Sequence, residues 1–65
     1  MEPSSNPIPE GLYDWARLRG IQPVKVLARY ESNQKNVYFL KVRFTDRVRI
    51  MGIEVIKGYE TCWEY

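Results

Sequence analysis

The sequence predicts an α+β domain: a short N-terminal helix packed on a three- to four-stranded antiparallel meander, which could also curl into a small barrel. Three observations carry this expectation. Ile8, Leu12, Trp15 and Ala16 fall on one helical stripe. After Pro23 the hydrophobic period changes to two and holds nearly to the C-terminus. The breaks between the later apolar runs are short, and short connections force sequential strands to pair as neighbours.

Residues 1–8 contain Ser4, Ser5, Asn6 and two prolines and read as a flexible or extended arm. Residues 9–65 read as a single domain. A helix is expected at about 9–19. Pro9 suits a first helical position, where its missing N–H costs nothing. Glu10 and Asp14 lie toward the positive end of the helix dipole, and Arg17 and Arg19 toward the negative end. Gly20 is a natural stop.

A first strand begins at Val24, with Val24, Val26, Ala28 and Tyr30 on the apolar side and Lys25, Leu27, Arg29 and Glu31 opposite. "SNQKN" at 32–36 is a polar loop of hairpin length. The second strand, 37–44, puts Tyr38, Leu40, Val42 and Phe44 on one face and Val37, Phe39, Lys41 and Arg43 on the other. Thr45-Asp46 closes a tight turn. A third strand is expected to point Val48 and Ile50 inward, then to flip phase at Gly52 through a β-bulge, so that Ile53 and Val55 become the apolar set. Gly58 turns the chain into an edge strand, where Tyr59, Thr61, Trp63 and Tyr65 alternate with Glu60, Cys62 and Glu64. The helix should use Leu12 and Trp15 to cover the face bearing Val26, Leu40, Val42 and Ile50.

Composition bounds the chemistry. A 65-residue chain buries only ~60% of its unfolded surface and is marginally stable without help. One cysteine allows no internal disulfide, and with no histidine the common zinc patterns are absent. Nine aromatic residues, each able to bury ~150–250 Å², are the remaining source of stability besides self-association. A lone cysteine suits a reducing compartment, no apolar run is long enough to span a bilayer, and the N-terminus lacks the basic start and apolar block of a secretory signal. The expected location is cytoplasmic, without membrane contact.

Nucleophilic catalysis by a hydroxyl or thiol needs a base, most often histidine. Asp14 and Asp46 read as helix-end and turn residues, and the four glycines are too scattered to cradle a phosphate. Nothing cationic neighbours Cys62 in sequence to activate it, so a half-buried structural thiol is expected. The chain is read as a non-enzyme without cofactor or metal.

The net charge of +2 conceals an asymmetry: residues 23–57 carry eight cations against three carboxylates, a net of +5. Strict alternation would place Lys25, Arg29, Lys41, Arg43, Arg47 and Arg49 on the face away from the helix, with Leu27 and Phe39 among them. Like charges opposite one another destabilise a sheet, which invites an anionic partner. An aromatic ring among cations can stack on a base while the cations hold phosphates. The primary functional expectation is therefore a small DNA- or RNA-binding module using Lys25, Arg29, Phe39, Lys41, Arg43, Arg47 and Arg49. Residues 12–30 also loosely resemble a helix-turn-helix, but Pro23 and the β-branched run after it oppose a recognition helix there.

Long charged side chains also fill ordinary solvated strand faces. The alternative expectation is a protein–protein interaction module, a small inhibitor or assembly subunit, able to form a homo-oligomer through the edge strand ending in "CWEY".

Overall fold

The structure, a computed structural model, describes residues 7–65. Most of the arm expected at 1–8 lies outside the described residues; Ile8, within them, packs against the core. Five elements follow in order: α1 (Glu10–Arg17), β1 (Pro23–Glu31), β2 (Val37–Phe44), β3 (Val48–Ile56) and β4 (Tyr59–Glu64). The strands form one antiparallel sheet in the order β1-β2-β3-β4. The sheet is open, with β1 and β4 as its edges, and does not close into the barrel that curling would give.

The helix is shorter than expected, and Pro9 is its N-cap rather than its first residue, at φ −59° and ψ 141°. Proline offers no side-chain cap, yet the first turn needs acceptors. One comes from a distant strand: the Gly11 N–H donates to Glu60 Oε1 on β4 at 2.8 Å. At the other end Gly20, at φ +73°, folds the chain back so that the Ile21 N–H reaches the Ala16 carbonyl at 3.1 Å.

Leu12 and Ala16 are fully buried, and with Val26, Leu40, Val42, Phe44, Met51 and Ile53 they form the core beneath α1. Trp15 tilts against Phe44 with ring centroids 5.6 Å apart. Burying these side chains provides most of the stability of so small a domain, at roughly 25 cal/mol per Å² of apolar area.

The alternation of β2 is as expected, with Leu40, Val42 and Phe44 buried and Lys41 and Arg43 exposed. The neighbouring strands depart from it for two separate reasons. On β1 the pairing slips between Val26 and Ala28, leaving Leu27 as an extra residue, and slips again at Val24. Each bulge inverts the faces that follow it. Arg29 therefore sits opposite Leu40 on the helix side, while Ala28 and Tyr30 oppose Lys41 and Phe39 on the far side.

On β3 the cause is turn length. The Phe44 N–H donates to the Arg47 carbonyl at 2.9 Å, enclosing Thr45 and Asp46 alone. A two-residue turn pairs even-numbered residues of one strand with odd-numbered residues of the next. Val42 thus opposes Arg49, and Leu40 opposes Met51. Arg49, Met51, Ile53 and Val55 face the helix, and Val48 and Ile50 face away, reversing the expected orientation. Register runs unbroken from Val37↔Glu54 to Arg43↔Val48, so the bulge expected at Gly52 is absent. Gly52 instead makes room for Trp63 on β4: a Cβ there would lie 2.6 Å from Trp63 Nε1. Lys57 and Gly58, both at positive φ (52° and 85°), form the two-residue β3–β4 turn, as a type I′ geometry requires. Residues 23–31 are strand, which leaves no second helix for a helix-turn-helix.

Candidate functional site

One helix covers one side of a four-stranded sheet, and the opposite side has no covering element among the described residues. Cross-strand rows define that open face. The upper row runs Tyr30, Phe39, Gly52, Trp63. The next runs Ala28, Lys41, Ile50 and ends at Tyr65, whose N–H donates to the Ile50 carbonyl at 2.9 Å. The lowest is Lys25, Arg43, Val48.

The face is aromatic at its centre. Phe39 meets Trp63 and Tyr65 edge-on, at centroid distances of 6.4 and 5.3 Å, the geometry that aromatic quadrupoles prefer. Tyr30 on β1 and Tyr65 after β4 stand 47% and 82% exposed. Between them lies a groove of about 250 Å³ lined by Tyr30, Phe39, Ile50 and Tyr65. Val48, Ile56 and Tyr59 extend the exposed apolar surface along β3 and β4.

The seven residues expected to form a polyanion platform are divided. Lys25, Phe39, Lys41 and Arg43 share the open face. Among the described residues, Lys25, Lys41 and Arg43 make no ion pair. Lys25 and Arg43 are directly opposite in register, a like-charge pair that costs stability. Arg29, Arg47 and Arg49 are placed elsewhere and are already engaged.

Arg29 lies over the Tyr38 ring at 4.0 Å and pairs with Glu31 at 2.6 Å, on the helix side. Arg49 is the most enclosed, its side chain 9% exposed. Its guanidinium forks onto both oxygens of Asp46 at 2.7 and 3.0 Å, lies near the Phe44 and Trp15 rings, and reaches Glu64 at 3.4 Å. That pairing, joined by the Arg47 backbone N–H, pulls the Asp46 carboxyl down to about 2. Arg47 itself lies in the β2–β3 turn and contacts Glu64 at 3.3 Å. Each arginine at these three positions does structural work on the covered side or its rim.

Tyr30, Ile50, Trp63 and Tyr65 were not among the expected site residues, although they build the centre of the open face. The signal for Ile50 was the two-residue turn, which fixes its side once Leu40 and Val42 are taken as core. Tyr30 needed the Leu27 bulge, which no glycine marks. Cys62 is half-buried on the helix side, and burial, with the Glu60 and Asp14 carboxylates, pushes its thiol up to about 11.

No helix among the described residues is long and apolar enough to cross a membrane. Comparison of the chain with protein-family models, with curated proteins and with solved structures finds no match in any of the three.

Proposed function

We propose that the protein is a protein-interaction module that receives its partner on the open sheet face. The observation that carries this reading is the uncovered aromatic centre, Tyr30, Phe39, Trp63 and Tyr65 around Ile50, on the side opposite α1. Small domains seldom leave a contiguous apolar surface without a use for it, and tyrosine and tryptophan are enriched where proteins meet.

The nucleic-acid reading draws on the same face and is supported by the unpaired Lys25, Lys41 and Arg43. It ranks second because half of the cations expected to hold phosphate are committed elsewhere. The Phe39 ring also already meets two aromatic neighbours. Three phosphate contacts would give a log–log salt slope near −2 on single strands, at about −0.7 per contact. The C-terminal edge strand β4 borders this face, and self-pairing there is the remaining form of the interaction reading.

Affinity capture from a lysate of the source cells, with and without nuclease, tests the assignment. Wild type should retain a protein that resists nuclease, and the exposed-site double variant Tyr30→Ser/Tyr65→Ser should lose it while keeping a native circular dichroism spectrum. Capture that nuclease abolishes, or capture the double variant preserves, overturns it.

A further inference from the structure

Resting on that reading, we infer the chemistry of the partner: an acidic amphipathic helix, lying along the strands in the groove between Tyr30 and Tyr65. Three features of the face lead to it. The outer strands of a four-stranded sheet stand ~14 Å apart, from three spacings of ~4.8 Å. Tyr30 stands on β1, and Tyr65, just after β4, places its ring 5.3 Å from that of Phe39, so the groove of about 250 Å³ over Phe39 and Ile50 takes the apolar side chains of a helix resting on the sheet, not its whole ~10 Å width. A second helix there would complete a helix–sheet–helix sandwich, with both sheet faces buried.

Charge then selects among occupants. Among the described residues the open face carries Lys25, Lys41 and Arg43 against Glu54. A second copy stacked on this face would gather six cations over two carboxylates, a costly juxtaposition. A partner with carboxylates along one flank relieves the unpaired cations, including the opposed Lys25 and Arg43. The apolar stripe of the same helix covers Phe39, Ile50 and Tyr65. The cations Lys25, Lys41 and Arg43 all stand on β1 and β2, whereas Val48, Ile50, Trp63 and Tyr65 stand on or just beyond β3 and β4, with Tyr30 and Phe39 carrying the aromatic row across to β1; a helix along the strands therefore meets cations on one flank and apolar surface on the other.

Fluorescence anisotropy of a labelled synthetic peptide tests this with the whole chain. The probe is an 18-residue amphipathic helix with an apolar stripe and a glutamate flank. The controls are the same peptide with lysine in place of glutamate and a single-stranded oligonucleotide. The acidic peptide should bind, and bind more weakly as salt rises. Lys41→Glu/Arg43→Glu should weaken it by about tenfold or more and transfer preference to the lysine peptide. Lys41→Gln/Arg43→Gln, milder toward folding, should weaken it in the same direction. Equal binding of both peptides overturns the inference, as does preference for the oligonucleotide or concentration-dependent dimerisation in sedimentation with neither peptide bound. If no acidic peptide binds while nuclease-resistant capture still depends on Tyr30 and Tyr65, the interaction reading stands and its acidic partner does not. If both fail, both fall.

Discussion

Arg49 shows how one residue of this chain combines charge and packing. Its fork onto Asp46 and its position beside Phe44 and Trp15 make it a half-buried tie between the β2–β3 turn and the core. Lysine cannot reproduce a planar fork. Arg49→Lys should lose about 1–2 kcal/mol in urea denaturation, whereas the equally cationic Lys41→Gln should stay within about 0.5 kcal/mol. Asp46 gives the pair a pH signature. Its carboxyl titrates near 3.8 when unfolded and about 2 when folded. Its contribution is therefore complete above pH ~4 and is lost as the pH falls toward 2. The urea midpoint should drop across that window, and Asp46→Asn should be less stable at pH 7 with a flatter profile across it. Gly52 is a packing site: the ring of Trp63 occupies the space of a Cβ. Gly52→Ala should cost about 1–3 kcal/mol and shift the tryptophan emission. Equal midpoints for Gly52→Ala and wild type would mean that Trp63 does not rest there.

Between elements, the contact of consequence is Glu60 with the start of α1. A strand carboxylate accepts the Gly11 N–H that a proline N-cap leaves without a side-chain partner, and its charge also complements the helix dipole. Glu60→Ala should destabilise the domain by about 1 kcal/mol, with Glu60→Gln losing less because an acceptor remains. Amide exchange in α1 should accelerate in step; unchanged exchange at residues 10–13 would show that the cap is idle. Much at this scale was legible in the sequence. The helical stripe, the period-two runs and the turns at 45–46 and 58 locate every element. What the sequence concealed was phase. Alternation reads a strand correctly only until an extra residue enters, and the bulge at Leu27 sits within a run of ordinary strand formers. On β3 both faces are apolar, so hydrophobicity could not distinguish Val48 and Ile50 from Met51 and Ile53. Turn length could, and it places Arg49 on the covered side. Lys25, Phe39, Lys41 and Arg43 share the face that simple alternation assigns them, because β2 is regular and Lys25 lies before the bulge that inverts Arg29.

For the whole molecule, the sheet sorts its cations by use. Arginines on the helix side or its rim are paired with carboxylates or aromatic rings, and the basic residues of the open face have no such partner among the described residues. Beside them lies the aromatic centre of Tyr30, Phe39, Trp63 and Tyr65, on which the proposed partner helix would rest. The most direct measurement is amide and side-chain chemical-shift mapping by NMR as the acidic amphipathic peptide is titrated in. Shifts are expected at Lys25, Tyr30, Phe39, Lys41, Arg43, Ile50 and Trp63, with Trp15, Arg49 and Cys62 nearly unmoved. Shifts concentrated on the helix side, or none at saturating peptide, would rule out the open face as the place where such a partner docks.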